Sequence, residues 1–339
     1  MATSNEILRA MLHDGAQWDP AYPFTPSVLL TDHLPMALQA LWRLGASPDQ
    51  LREFQTGYAR KLVPLAQHER VDVSGDAWQQ WLGDWRIYRP LRDRLIADIA
   101  TSGRAAVLRE WLPHLIVCAA IDALHPLIRL GYGIEQEVDE EIAAGLAYWA
   151  AEHRPGVALA GRNDAPIAGG AAELFARLRT TTELAGQRFS HRAFNERLQT
   201  VCAVPTFAQV TGWRNDDVGL TELAREAARI YLATDDFFAL HMVTGAHALR
   251  MLVPYVDAQV LLDRGWQALA ATYLIIGAPD YVFSERDVAV PDDARLVEAG
   301  LRAKKDPEHV IKLAHSAREE FRAGNAPEHA MILAGIVRR

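Results

Sequence analysis

The 339-residue sequence has few cysteines, no excess of positive charge and no long hydrophobic run. Cys118 and Cys202 are too few for a disulfide framework or a cysteine metal site, and their apolar surroundings are typical of buried free thiols. Lysine and arginine total 35 against 43 acidic residues, which argues against a nucleic-acid surface. Residues 1–12 lack the apolar core of a signal peptide, and no apolar run reaches the length of a membrane span. We expect a cytoplasmic protein that binds neither nucleic acid nor membrane.

Common catalytic motifs are also missing from the sequence. Gly131-Tyr132-Gly133 lacks the third glycine and the preceding strand of a dinucleotide-binding loop. There is no G-x-S-x-G elbow, no H-E-x-x-H zinc motif and no pair of Glu-x-x-His motifs of the ferritin-like di-iron type. The sequence therefore contains no recognisable nicotinamide or flavin site.

Helical periodicity dominates, and we find no convincing run of alternating apolar and polar residues that would predict a strand. Residues 18–27 are an extended segment rich in proline and aromatic residues. Residues 154–171 are rich in glycine, proline and alanine, which predicts a lid or a boundary loop, and residues 278–293 are a second predicted loop. We predict an all-α protein in which residues 1–339 form one large multi-helix domain with buried central helices.

The segment 237–254 is apolar nearly all round, which is typical of a helix in the middle of a protein. Its few polar side chains include His241, Thr244 and His247. Buried imidazoles must find hydrogen-bond partners or a metal, so this helix is predicted to form the floor of an active site. His241 and His247 are separated by roughly 120° around a regular helix, so they need not share one metal ion.

The segment 113–130 is the second buried helix of the predicted central pair. Its polar residues Asp122, His125 and Arg129 have spacings of three and four, which place them on one stripe of a helix. Pro126 removes a backbone donor and clashes with the preceding turn, so we expect a kink or a helix restart beside His125.

The histidines in buried contexts are His33, His125, His241 and His247. Histidine is the commonest metal ligand, and several imidazoles with one anionic oxygen donor suit a non-heme iron centre. A single histidine on an apolar face is more often a hydrogen-bonded core residue than a metal ligand. On spacing alone, Glu308 and Lys312 form an i,i+4 ion pair on a solvated helix face.

Four motifs in the same order resemble the questin oxidase-like family of fungal and bacterial proteins. They extend from residue 32 to residue 312 and are Asp32-His33-Leu34-Pro35 with Leu44-Gly45-Ala46, His125-Pro126-Leu127-Ile128-Arg129-Leu130-Gly131-Tyr132-Gly133-Ile134-Glu135, Asp236-Phe237-Phe238-Ala239-Leu240-His241 with Val243-Thr244, and Glu308-His309-Val310-Ile311-Lys312. The resemblance implies an all-helical oxidoreductase, an oxygenase that uses dioxygen to cleave a carbon–carbon bond in an anthraquinone-type ring. The outcome resembles a Baeyer–Villiger oxidation followed by ring opening.

The resemblance also implies a mononuclear non-heme iron, held by histidines and a carboxylated lysine, and it associates NADPH with the reaction. Lys312 matches the position of that lysine. A lysine adds carbon dioxide only as the neutral amine, which burial favours, and the resulting carbamate is an anionic oxygen ligand.

The chain departs from the fungal pattern at Met36 and Ala37, where relatives carry histidines, and at Arg129, where they tend to have histidine. A four-histidine site therefore needs a replacement ligand, and His247 is the first choice with His315 next. The predicted metal ligands are His33, His125, His241, His247 and Lys312. The predicted residues around the metal or substrate are Asp122, Arg129, Thr244 and His315.

Three functions are compatible with these residues. The first is an iron-dependent oxygenase acting on a small polycyclic aromatic quinone or phenol. The second is a non-catalytic helical protein that binds an apolar ligand and satisfies its histidines within the core. The third is a metal-dependent hydrolase with a zinc-bound water. The sequence leaves open the natural substrate, the electron donor, the metal and the oligomeric state.

Overall fold

A computed structural model describes residues 4–25, 28–66, 68–154, 166–189, 193–324 and 326–338. These residues contain seventeen α-helices and one two-stranded sheet, so the all-α class is confirmed. The first nine helices are α1 (Ser4–Gly15), α2 (Leu34–Arg43), α3 (Pro48–Tyr58), α4 (Tyr88–Ser102), α5 (Arg104–Leu115), α6 (His125–Glu135), α7 (Asp139–Glu152), α8 (Ala171–Thr180) and α9 (Thr182–Ala185). The remaining eight are α10 (Phe194–Cys202), α11 (Val210–Trp213), α12 (Leu220–Thr234), α13 (Phe237–Met251), α14 (Ala258–Ile275), α15 (Asp293–Arg302), α16 (Pro307–Gly324) and α17 (Pro327–Arg338).

The expectation that no strands form is wrong in one place. Strands β1 (Ala21–Thr25) and β2 (Val28–Thr31) form an antiparallel hairpin in which Ala21 pairs with Thr31. Residues 21–25 of the predicted extended segment form strand β1. The partner strand was not predicted, because V-L-L-T contains three apolar residues in succession and shows no alternation of apolar and polar residues.

Four helices form the centre of the molecule. Helix α2 packs against α6 and α16, and α13 packs against the same two helices, so the four close into a ring. Contacts advance together along neighbouring helices: Tyr132 of α6 contacts Lys312 of α16, and Glu135, three residues later, contacts His315. The same order holds for α13, where His241 contacts His125 and His247 faces Glu135, and for α2, where His33 contacts His125 and Arg43 contacts Glu135. The four helices therefore run in the same direction.

Parallel neighbours require long connections, and the rest of the chain provides them. Helices α3–α5 connect α2 to α6, helices α7–α12 connect α6 to α13, and helices α14 and α15 connect α13 to α16. Helix α7 packs against α6, while α12 and α14 pack against α13, so the connecting helices cover the central ring. This covering explains why α13 is apolar nearly all round: residues Ala239–Leu249 are all buried.

Small residues allow α6 and α13 to approach closely. A Cβ atom added to Gly131 would lie 2.8 Å from the Cβ of Ala248, and one added to Gly245 would lie 2.5 Å from a methyl carbon of Leu124. Both distances are shorter than carbon atoms tolerate without movement. At Gly131 the added atom would also meet the backbone of Ala248, so glycine is required there, whereas at Gly245 the flexible side chain of Leu124 would have to move.

The chain breaks its helical path just before α6. Asp122, Ala123 and Leu124 have left-handed backbone angles, with φ of 48°, 51° and 65°, and α6 begins at His125 with Pro126 in its first turn. The predicted restart beside His125 is confirmed. The prediction that Asp122, His125 and Arg129 lie on one stripe of a single helix is wrong, because no regular helix connects Asp122 to Arg129.

The structure describes one of the two predicted loops in full and the other only in part. Residues 155–165 of the predicted lid or boundary loop lie outside the described residues, and residues 166–170 precede α8 without regular structure. Residues 278–292 are irregular, as predicted. Cys118 is buried and Cys202 is half-buried, and both are free thiols. Within the described part of the chain, no helix is both long and apolar enough to cross a membrane.

The close approach of α6 and α13 gives a first prediction. Gly131→Ala forces its new methyl group against the backbone and side chain of Ala248, and we expect a loss of about 1–3 kcal/mol in the free energy of unfolding, measured by urea denaturation. Gly335→Ala in α17 is the matched control, because no atom lies within 4 Å of its added Cβ. It should stabilise the protein by roughly 0.5–1 kcal/mol through helix propensity. Equal effects of the two substitutions would contradict the close approach.

Candidate metal centre

Four imidazole rings meet at one end of the central helices. We call His33, His125, His241 and His309 the four-histidine cluster. Its ring centroids are 4.7 Å apart for His33 and His125, 4.6 Å for His125 and His241, 5.1 Å for His241 and His309, and 4.5 Å for His309 and His33. Neighbouring rings therefore come from neighbouring helices of the central ring.

Each of these histidines lies near the amino-terminal end of a central helix. His33 immediately precedes α2, His125 is the first residue of α6, His309 is in the first turn of α16 and His241 is in the second turn of α13. Parallel packing brings the four helix starts together. Helix amino termini carry partial positive charge, so this end of the ring favours anionic groups.

The Nε2 atoms of His125 and His241 face each other in an arrangement that a cation between them would stabilise. The Nδ1 of His125 bonds to the carbonyl oxygen of Asp122, and the Nδ1 of His241 lies 2.8 Å from the carbonyl oxygen of Phe237. A carbonyl oxygen only accepts, so each Nδ1 carries the hydrogen, and each Nε2 of the neutral ring has a free lone pair. These two Nε2 atoms are 3.0 Å apart. Two lone pairs at that distance repel unless a proton or a metal ion lies between them.

Protonation of these rings is disfavoured. Burial, followed by the charge of Lys312, lowers the pKa of His33, His125 and His309 well below the usual range of histidine. Burial and the neighbouring His125 do the same for the pKa of His241. The four rings are therefore neutral at pH 7, the form in which imidazole binds metals.

The spacing of the donor atoms fits a metal ion. Two nitrogens bound at a right angle, each ~2.0–2.1 Å from a metal, are ~2.9 Å apart, close to the 3.0 Å between the Nε2 atoms of His125 and His241. One ligand atom each from His33, His125 and His309 lies within 4.8 Å of the others. Neither ring nitrogen of the buried His309 has a hydrogen-bond partner among the described residues. The cluster therefore offers several unused, inward-facing donors.

The side chain of Lys312 reaches the cluster, with its Nζ 3.1 Å from the Nδ1 of His33. Lys312 is fully buried, and burial lowers the pKa of its amine to about 7. The prediction that Lys312 forms a solvated ion pair with Glu308 is wrong. Both residues are buried, because α16 packs against α2 and α13. The carboxylate of Glu308 instead lies 3.6 Å from the Nζ of Lys61. Spacing of four places two residues on one helix face but does not say which face is exposed.

Asp122 flanks the cluster beside His125. Its Oδ2 is 3.6 Å from the Nδ1 of His125 and accepts hydrogen bonds from the hydroxyls of Thr31, at 2.7 Å, and Tyr148. The side chain is 27% exposed, so solvent reaches Asp122 beside the buried His125. Burial raises the pKa of Asp122 above its usual value.

Arg129 and Thr244 are engaged away from the four-histidine cluster. The guanidinium of Arg129 makes a bidentate ion pair with Glu141 of α7, with distances of 3.0 and 3.1 Å, and both residues are buried. The hydroxyl of Thr244 donates to carbonyl oxygens of its own helix, at Leu240 and His241. The structure thus brings Asp122 to the cluster but gives Arg129 and Thr244 partners elsewhere.

His247 and His315 lie in a second group further along the same helices. One ligand atom from each of Glu135, His247 and His315 lies within 4.8 Å of the others, and we call these three residues the glutamate–histidine cluster. His241 and His247 are six residues apart, as are His309 and His315, which corresponds to ~9 Å along a helix axis. His247 is therefore separated from the four-histidine cluster, and His309 occupies the fourth imidazole position.

The charges of the glutamate–histidine cluster differ from those of the four-histidine cluster. Burial lowers the pKa of His247, but the carboxylates of Glu135 and Glu320 outweigh burial and raise it to about 9. Burial also acts to raise the pKa of Glu135, yet His315 and His247 bring it well below its usual range. This second group therefore attracts positive charge.

The four-histidine cluster borders the surface at Phe237. The ring centroid of Phe237 lies 4.9 Å from that of His241 and 4.7 Å from that of His309, and the residue is 44% exposed. Nearby, the hydroxyl of Tyr58 accepts from the backbone N–H of His33. Tyr58 also lines a cavity of about 620 Å³ that reaches Pro307 at the start of α16.

His309 was missing from the ligands predicted from the sequence. Its neighbours Asp306, Glu308 and Lys312 give the segment the composition of a surface helix. The available signal was the spacing of three between His309 and Lys312, which places both on one helix face and predicts that a buried Lys312 buries His309 too.

The comparison with protein families agrees with the motifs in the sequence. The model of the questin oxidase-like family matches residues 30–317, a range that includes both clusters. No curated protein matches the chain. Since the family match covers most of the 339 residues, the chain belongs to the questin oxidase-like family.

Proposed function

We propose that the protein is a non-heme iron-dependent oxygenase that cleaves a ring carbon–carbon bond of an anthraquinone-type or related polycyclic aromatic substrate. Its family points to an oxidoreductase. The observation that carries the proposal is the pair of unprotonated Nε2 atoms of His125 and His241, 3.0 Å apart and surrounded by two further neutral imidazoles.

The iron would be held by the four-histidine cluster together with Lys312. When bound, it would supply the redox chemistry that activates dioxygen. The carbonyl oxygens of Asp122 and Phe237 keep the hydrogens on the Nδ1 atoms of His125 and His241, so the Nε2 atoms stay available as ligands.

Lys312 is proposed to bind the metal as a carbamate. The neutral amine nitrogen attacks the carbon of carbon dioxide, a C–N bond forms, and one N–H proton leaves to solvent. Burial supports this step because it lowers the pKa of Lys312 to about 7, so a large fraction of the amine is neutral at physiological pH. The four helix starts around Lys312 favour the negative charge of the product.

The substrate is proposed to approach from the side of Phe237 and Asp122. The exposed ring of Phe237 offers a stacking surface for a flat aromatic molecule. The carboxylate of Asp122, fixed by Thr31 and Tyr148, is placed to accept a proton from a phenolic hydroxyl. NADPH enters this proposal only through the family resemblance, as the reductant.

The metal assignment predicts the effect of His241→Ala. Loss of the Nε2 ligand should reduce iron affinity and iron-dependent oxygen consumption by at least ~100-fold. The measurements are elemental analysis of the purified protein and an oxygen electrode with a hydroxyanthraquinone. His153→Ala is the control, because His153 is also buried but lies outside both clusters. Iron content and oxygen uptake that survive His241→Ala would reject the oxygenase; zinc without oxygen uptake would favour the hydrolase.

The carbamate predicts rescue of a lysine variant by small carboxylates. Lys312→Ala should lose iron and activity, and acetate or propionate should restore part of both, because a carboxylate placed in the vacated space replaces the carbamate oxygen. Lys61→Ala is the control, since Lys61 is half-exposed. Mass spectrometry of the intact protein in ¹³C-bicarbonate should detect the added carboxyl group. Full activity of Lys312→Ala without carboxylate would exclude the carbamate.

Substrate approach at Phe237 predicts a change in KM. Phe237→Ala should raise the KM for a hydroxyanthraquinone by about 5-fold, since an aromatic pair contributes on the order of 1 kcal/mol beyond its buried area. Iron content should not change. Val253→Ala, two residues beyond the end of α13, is the control, because Val253 is also exposed. An unchanged KM would place the substrate elsewhere.

A further inference from the structure

The glutamate–histidine cluster has a donor set of its own that the proposed oxygenase does not use. Glu135 is the last residue of α6, while His247 and His315 lie within α13 and α16. The side chains of both histidines are at most 2% exposed, and that of Glu135 is 8% exposed. Three central helices therefore place two imidazoles and one carboxylate together in the interior.

His247 is oriented as a ligand. Its Nδ1 lies 3.2 Å from the Oε1 of Glu320, and Glu320 is fixed by Arg250 at 2.9 and 2.6 Å. A carboxylate only accepts, so it holds the hydrogen on Nδ1 and directs the Nε2 lone pair of the neutral ring to the opposite side. That Nε2 has no hydrogen-bond partner among the described residues and faces the Oε2 of Glu135 at 3.6 Å. A carboxylate behind a histidine is the arrangement that orients metal-binding imidazoles.

Glu135 is held in a similar way. Its Oε1 accepts from Arg43 at 3.0 Å, while its Oε2 faces inward to the Nε2 of His315 at 2.8 Å and the Nε2 of His247. Tyr132 stands edge-on to both imidazoles, with ring centroids 6.2 and 5.1 Å away, and closes one side of the cluster. The three inward donor atoms thus converge, and the outward atoms of Glu135 and His247 have fixed partners.

We propose that Glu135, His247 and His315 form a second metal site, which takes a divalent transition-metal ion such as zinc or iron(II). Two imidazoles and one carboxylate are a recurrent donor set for these ions. The site is distinct from the four-histidine cluster, and it does not rest on the proposed oxygenase reaction. The ion bridges α6, α13 and α16 at a distance of ~9 Å from the first cluster along α13 and α16, and so fixes the helices that carry His125, His241 and His309. Glu320 and Arg250 are positioning residues for His247.

The competing arrangement is a purely ionic network. In that case His247 carries a proton and pairs with Glu135 and Glu320, while Arg43 and Arg250 balance the remaining charge. A metal ion and the proton compete for the same Nε2, so direct metal binding separates the two arrangements.

Cobalt(II) titration of a protein with the first site blocked tests the proposal. His125→Ala with His241→Ala removes the facing pair of Nε2 donors from the four-histidine cluster and leaves Glu135, His247 and His315 intact. After chelation and dialysis, this blocked protein should bind one cobalt per chain, seen as visible d–d absorption, and zinc should displace it. Adding His247→Gln should weaken binding by about 100-fold, and adding Glu320→Gln should weaken it by ~10-fold. Zinc should also raise the Tm of the blocked protein but not that of the His247→Gln form.

Each result decides for or against the second site. No cobalt binding by a folded blocked protein, as judged by near-ultraviolet circular dichroism, supports the ionic network and overturns the proposal. Equal cobalt binding with and without His247→Gln also overturns it. If His247→Gln fails to fold, Glu135→Gln, which keeps shape and volume, takes its place with the same expected loss. Because the titration measures metal binding and not activity, this outcome is independent of whether the wild-type protein is an oxygenase.

Discussion

The parallel packing of α2, α6, α13 and α16 is the constraint on which the rest of the structure depends. Helices that run in the same direction bring their amino termini to one end, and each of these four has a histidine near that end. Gly131 and Gly245 allow α6 and α13 to approach closely enough for the Nε2 atoms of His125 and His241 to lie 3.0 Å apart. The cost of parallel packing is the long connections, and most of the remaining helices serve as those connections.

The same alignment produces two groups with different electrostatics. At the helix starts, burial and the charge of Lys312 lower the pKa of the imidazoles and keep them neutral. The partial positive charge of the helix starts favours anions there. Further along, where α6 ends at Glu135, carboxylates dominate and His247 gains affinity for a proton. A repeat of six residues on α13 and on α16 creates both groups, because two residues of each helix point into the same interior ring.

Much of the fold was predictable from the sequence, because helical periodicity and caps are local signals. The pattern located α13 from its nearly uninterrupted apolar residues and the restart at His125 from Pro126. The pattern of apolar residues could not show whether two packed helices are parallel or antiparallel, since amphipathic patterns are alike in both cases. The prediction of a single domain stays a prediction.

The site was predictable only in part for the same reason. His33, His125 and His241 lie together in the structure, yet their roles as ligands remain predictions. Lys312 and His309 appeared in a segment with many charges, and only the tertiary fold shows that this face of α16 is buried between α2 and α13. The separation of His247 from His241 follows from helix rise, which the angle of 120° alone did not settle.

The contact between His33 and Lys312 has a consequence for biosynthesis. The two residues are separated by 279 positions, so His33 leaves the ribosome on the order of tens of seconds before its partner at typical rates of translation. Throughout that interval the nascent chain has an incomplete set of donors. Nearly every contact within the four-histidine cluster joins distant parts of the chain, which places its assembly among the late and slow events of folding. A metal ion that needs the complete set of donors could therefore bind only after the chain has been synthesised and folded.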